Sequence, residues 1–144
     1  MSEKQYCTFF VNDLLFGVEV LEVQEIMSQH SVEPVPLSPP TVAGLVNHRG
    51  QIVTAIDMRR RLGFPAADRS QKSMMLIAHA NEETFGLLVD KIGDVISVSS
   101  DDFESAPETV TGEAKELVLG AYKLPDRLIL PLRLDKVAEP ALAR

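Results

Sequence analysis

At 144 residues the chain has the size of one typical domain, and its 45% apolar share suffices for one normal core rather than for two independent domains. A net charge of −7 repels phosphate backbones and so disfavours general nucleic-acid binding. With one cysteine there is no intrachain disulfide; the apolar runs fall far short of a membrane span, and Met-Ser-Glu-Lys-Gln has no signal-peptide form, so the sequence reads as cytosolic and soluble. In chain order, Gln5 to Val11 is aromatic and β-branched, Asn12-Asp13 is a turn signal, and Leu14 to Val20 resumes the apolar pattern, which predicts a hairpin. From Val20 to Met27 the spacing fits either a short helix, with Val20, Val23, Ile26 and Met27 on one face and Glu19, Glu22 and Glu25 opposite, or a bent strand. Pro34, Pro36, Pro39 and Pro40 make a stiff connector that no central strand accommodates.

The stretch Val42 to Phe64 is the centre of the chain. Gly44-Leu45-Val46 leads into Asn47-His48-Arg49-Gly50, a second alternating run spans Gln51 to Met58, and three arginines follow: strand, tight turn, strand, short basic helix, stopped by Gly63-Phe64-Pro65. Gly50 supplies a residue tolerant of positive φ. Between Lys4 and Arg59, Arg49 is the sole Lys or Arg, while Asp13, Glu19, Glu22, Glu25, Glu33 and Asp57 share that span. A lone cation on a turn amid carboxylates is expected to pair with one, and Arg–carboxylate geometry favours a bidentate pair. Glu25, held between Val23 and Ile26, is the candidate.

Further on, Ser73 to Ala80, Thr84 to Asp90 and Lys91 to Ser99 read as strands, with a turn at Asn81-Glu82-Glu83 and a bulge at Gly93-Asp94. Asp101 to Glu116 is an acidic surface connection with one helical turn near its end. Leu117 to Leu124 and Leu128 to Leu134 form a last hairpin about Pro125-Asp126-Arg127, Asp135 to Val137 begins a short helix, and residues 138–144 are expected to fray. Nine or ten short strands with little helix predict an all-β chain of two five-stranded barrel lobes.

Chemical motifs are absent. Cys7 sits in an aromatic strand as a buried, inert thiol. His30, His48 and His79 are too dispersed for metal binding, and neither a phosphate loop nor a nucleophile elbow is present. Arg59, Arg60, Arg61, Arg69 and Lys72, against Asp68, make one local basic patch, which a solvated helix face explains. Two rival readings follow from such features: a nucleic-acid-binding small barrel using that patch, and a small hydrolase using Glu25 or Asp57. The net charge counts against the first, and the second lacks a nucleophile–base constellation.

The segments Phe16 to Ile26, Pro34-Val-Pro36, Val42 to Gly50, Ile56-Asp57 with its arginines, and Leu88-Val-Asp90 with Val95 together resemble the CheW family of bacterial chemotaxis coupling proteins, from about Gln5 to Val137. The resemblance implies two intertwined five-stranded SH3-like β-barrels with a few short helices, forming one domain over residues 1–144. It implies no enzymatic activity and no cofactor. The expected role is an adaptor joining cytoplasmic chemoreceptor tips to the regulatory domain of a CheA-type histidine kinase, in receptor arrays beneath the inner membrane. Other CheW-like domains are further expected partners, without nucleic acid and without direct membrane insertion. The family's ion pair maps onto Glu25 and Arg49, its receptor-binding groove onto Val23, Gly44 and Arg49, and its kinase contact near Val20. Two positions depart from the family's habit. Thr54 stands where proline is common, and His48 stands where an apolar residue is usual, which marks His48 as a candidate for altered receptor choice. An adaptor of a non-flagellar array, controlling pili or a second messenger, is the alternative within the class.

Overall fold

The computed structural model describes residues 3–28, 32–65 and 73–139. The chain opens with β1 (Glu3–Val11) and β2 (Leu14–Glu19), passes through a 3-10 turn at Val20–Glu22, and continues into β3 (Val23–Met27). Next come β4 (Val42–His48), β5 (Gln51–Asp57) and helix α1 (Met58–Arg61), followed by β6 (Met74–Ala80), β7 (Glu83–Val89) and β8 (Lys91–Ser99). A two-residue β9 (Phe103–Glu104), helix α2 (Gly112–Leu117), β10 (Ala121–Lys123), β11 (Leu128–Pro131) and helix α3 (Leu134–Val137) complete the chain. The three tightest hairpins turn on residue pairs that both carry positive φ, as type I′ turns require: Asn12-Asp13, Arg49-Gly50 and Asn81-Glu82.

Two sheets result. The first runs β8-β1-β2-β11-β10-β9 and the second β3-β6-β7-β5-β4, so the whole second sheet is inserted into the sequence of the first. The chain crosses between them twice, at the 3-10 turn after β2 and at Asp90 between β7 and β8. Period-two alternation gives each sheet two apolar faces. Tyr6, Leu15, Val98, Tyr122 and Ile129 fill the inside of the first lobe, and Val46, Val53, Ala55, Met75 and Ile77 fill the second. The opposite faces, with Phe9 and Phe16 stacked from the first lobe and Leu76, Phe85 and Leu87 from the second, meet in one larger shared core. Neither lobe has a complete core of its own, so burial of apolar surface links them.

Several expected elements come out differently. The first sheet has six strands, because Phe103–Glu104 pairs with β10 at its edge. Of the two readings of Val20 to Met27 the bent strand holds, as a 3-10 turn followed by a strand with a register shift between Val23 and Glu25, so no helical face forms and Ile26 is exposed. The last hairpin is shorter than its apolar pattern suggested. Ala114 and Leu117, three apart, bury one face of α2, which takes Leu117 out of the strand. At the C-terminus Ala138 is fully buried against the shared core, and of the segment expected to fray residues 140–144 lie outside the described residues. The bulge falls at Gly93-Asp94, where a Cβ on Gly93 would lie 2.6 Å from the Thr8 hydroxyl oxygen.

Candidate functional site

The β4–β5 turn places Arg49 at φ 53°, an uncommon conformation for a residue with a Cβ. Asn47 secures the turn by accepting the Gly50 N–H through its side-chain oxygen at 2.9 Å. From there the guanidinium reaches across to Glu25 on β3. Its Nε donates at 3.0 Å and its Nη2 at 2.6 Å, both to Oε1, so the two bonds converge on one oxygen rather than forming the expected parallel fork. The Arg49 side chain remains 78% exposed and that of Glu25 30%. A pair this open stabilises the fold by about 0–1 kcal/mol, but it joins β3 and β4, the two edge strands of the second sheet. Its main physical effect is to hold a cation at a fixed place on an otherwise acidic lobe edge.

Gly44 lies beneath this edge. It is buried, its φ is +152°, and a Cβ there would sit 2.2 Å from the backbone oxygen of Glu33. Glu33 lies against β4 through two reciprocal backbone bonds with Leu45, each 2.8 Å, covering the strand's outer side. The missing side chain therefore serves an approach of the chain to itself. Val23 is half-buried and packs against the shared core between the lobes, and Val20 is half-buried in the 3-10 turn. His48 is 7% exposed on the same face of β4 as Val46. Buried in this way, it would act on receptor choice through the packing of β4 rather than as an exposed contact.

The basic run is engaged within the molecule. Asp57 caps α1 by accepting the Arg60 N–H at 3.3 Å, which gives the proposed hydrolase carboxylate a structural task. Arg59 grips Asp90 with both ends of its fork, Nε to Oδ1 at 2.8 Å and Nη2 to Oδ2 at 2.7 Å. Arg61 donates to the carbonyls of Lys136 at 2.5 Å and Val137 at 3.3 Å. Two of the three arginines are thus occupied, which weakens the nucleic-acid reading; Asp68, Arg69, Lys72 and His30 lie outside the described residues. Cys7 is buried and desolvation raises its thiol pKa, consistent with an inert side chain. His79 sits 3.1 Å from the Thr84 hydroxyl on the exposed end of the β6–β7 hairpin.

Sequence reasoning missed the setting of Leu21, which is 96% exposed at the crest of the 3-10 turn. Around it Glu22 has a raised pKa, caused first by burial and then by the charges of Glu19 and Asp135, offset by the Glu19 backbone N–H and by Lys4. Below about pH 4 the folded and unfolded states both hold the proton and the site costs nothing; as pH climbs through the raised folded value, the ionised form destabilises the fold. Glu22→Gln is therefore expected to melt higher than the parent chain at pH 7, with the gap closing by pH 4. Equal melting temperatures at pH 7 would contradict this.

The comparisons agree with this geometry over nearly the whole chain. The CheW-like domain family matches residues 5–141. "Chemotaxis protein CheW" of Rhizobium meliloti (strain 1021) is 29% identical, covering 93% of this chain and 86% of that protein. The protein of the same name from Bacillus subtilis (strain 168) is 30% identical over 84% of this chain and 78% of its own length. The crystal structure of the scaffolding protein TtCheW from Thermoanaerobacter tengcongensis superposes with a TM-score of 0.85 at 28% identity, covering 96% of this chain and 94% of that one.

Proposed function

The chain belongs to the CheW-like domain family, and from that premise we propose that it is a chemotaxis adaptor, a scaffold that binds without catalysing. In this reading it joins the cytoplasmic tip of a chemoreceptor to the regulatory domain of a CheA-type histidine kinase, as one CheW-like domain of two lobes. The observation that carries the reading is the Arg49 side chain, presented to solvent yet fixed by Glu25 and by a turn with an unfavourable backbone. The exposed pair contributes at most about 1 kcal/mol and the backbone at Arg49 costs about as much, so little net stability supports the arrangement and a partner gives it a use.

The receptor tip is assigned to the edge that carries Val23 and Arg49, with Gly44 supporting it from beneath. A helix laid in a groove gains most of its affinity from apolar contact, and one fixed cation sets its register. The kinase domain is assigned to the Val20 turn, where Leu21 offers an apolar anchor. Other CheW-like domains in the array are further partners of the same kind. Among the described residues no helix is long and apolar enough to cross a membrane, consistent with attachment to arrays through the receptor. The test is co-sedimentation with receptor-bearing membranes. The kinase regulatory domain is expected to pellet only when this protein is added, and a kinase that stays in the supernatant would overturn the reading. Run with receptors of a flagellar and of a non-flagellar array, the same assay names the pathway.

A further inference from the structure

The proposed receptor edge lies on the second lobe and the proposed kinase face on the Val20–Glu22 turn by which the chain enters that lobe, so the way the lobes are held at their crossings decides how these faces are presented. The chain crosses between the sheets at two points, and the two are built differently. The 3-10 turn Val20–Glu22 has no side-chain cap at Glu19, and its crest residue Leu21 is open to solvent. The Asp90 crossing is tied on every side. Its carboxylate takes the Arg59 fork from α1 on the second lobe, and its Oδ2 also accepts the Asn12 backbone N–H at 2.8 Å from the β1–β2 turn of the first lobe. Its own N–H donates to the Phe10 carbonyl at 3.0 Å, and the Arg59 and Asp90 side chains are only 16% and 21% exposed.

We propose that Asp90 is a positioning residue: with Arg59 and Asn12 it clasps the crossing from β7 to β8, fixing the angle between the lobes and so how the receptor edge and the Val20 turn are presented. One carboxylate serves both lobes: Oδ1 and Oδ2 take the Arg59 fork, and Oδ2 also accepts the Asn12 N–H. Arg133, through its backbone, and Arg61, through its side chain, hold α3 in place independently, so loss of the clasp leaves the shared core assembled. The hydrogen bond to Asp90 is the chief cause that raises the pKa of the Arg59 guanidinium, a group already charged at any physiological pH.

The experiment compares Asp90→Asn with the parent chain by amide hydrogen exchange and residual dipolar couplings. Exchange of the Asn12 amide is expected to quicken by about tenfold or more while core amides of Leu76 and Phe85 stay protected, and one alignment tensor is expected to stop fitting both lobes. Arg59→Lys, which keeps the charge and loses the fork but leaves Asp90 to accept the Asn12 N–H, serves if Asp90→Asn does not fold, and is read by the couplings alone. An Asn12 amide as protected as in the parent, with one tensor still fitting both lobes, overturns the proposal. A second arm rests on the adaptor reading: each partner alone binds the variant within about twofold of the parent, while receptor control of the kinase falls about tenfold. Full receptor control in a variant whose lobes have loosened overturns the link between lobe angle and function. If the parent binds neither partner, the adaptor reading fails, and the exchange and coupling data still decide the clasp.

Discussion

Replacing Gly44 by alanine is expected to destabilise the fold by about 3–5 kcal/mol, a large part of the roughly 5–15 kcal/mol that a domain of this size possesses. The new methyl carbon meets the Glu33 oxygen at 2.2 Å, the Glu33 carbonyl carbon at 2.7 Å and a Val32 methyl at 2.9 Å. Two of these atoms are backbone, so no rotamer change relieves them. Either the Glu33 segment lifts off β4 and gives up its pair of bonds to Leu45, or β4 bends away from the second-lobe core. The φ of +152° adds strain for any L side chain, about 1–3 kcal/mol. Gly50 is the control: its φ is +82° but nothing lies within 4 Å of its Cβ position, so alanine there costs only the backbone term, about 1 kcal/mol. Denaturant titration of both variants separates the two. A Gly44→Ala protein within about 1 kcal/mol of the parent would contradict the packing described for this edge.

The second large effect is on binding. Arg49→Ala is expected to weaken receptor capture by about tenfold or more while changing stability by less than about 1 kcal/mol. Glu25→Ala removes the partner that positions the guanidinium, so its effect has the same direction and is smaller, and the double variant loses less than the sum of the two. Arg49→Gly makes the sharper test. Glycine accepts φ 53° without a Cβ penalty, so this variant is expected to be at least as stable as the parent while binding receptor no better than Arg49→Ala. A residue kept at a cost to the fold and needed for binding is the signature of a functional position. Undiminished capture by both Arg49→Ala and Glu25→Ala would remove the receptor edge from this site.

What the sequence made legible was whatever local chemistry dictates. Asn12-Asp13, Arg49-Gly50 and Asn81-Glu82 announce turns, and alternation between them announces strands, so the hairpins and the two-lobed all-β class follow from residues in order. The solitary cation at Arg49 stood out by charge alone, and Glu25 by neighbours expected to pack, of which Val23 packs against the shared core while Ile26 is exposed. What was illegible depended on distant segments. Nothing beside Gly44 in sequence foretells that Glu33 comes to lie over it, and nothing beside His48 foretells that its side chain turns inward with Val46. Asp90 reads as one more polar residue between strands until the crossing of the sheets brings Arg59 and Asn12 to it from opposite sides. The arginine run likewise looked like a basic surface patch because its acceptors, a carboxylate on another strand and the last carbonyls of α3, are far along the chain.

The most direct measurement is a calorimetric titration of this protein with the purified regulatory domain of each CheA-type kinase from the same genome. Saturable one-to-one binding to at least one of them, weakened by Leu21→Asp at the exposed crest of the 3-10 turn, is the predicted result. A folded protein that binds none of them would contradict the adaptor account and leave only the two-lobed scaffold.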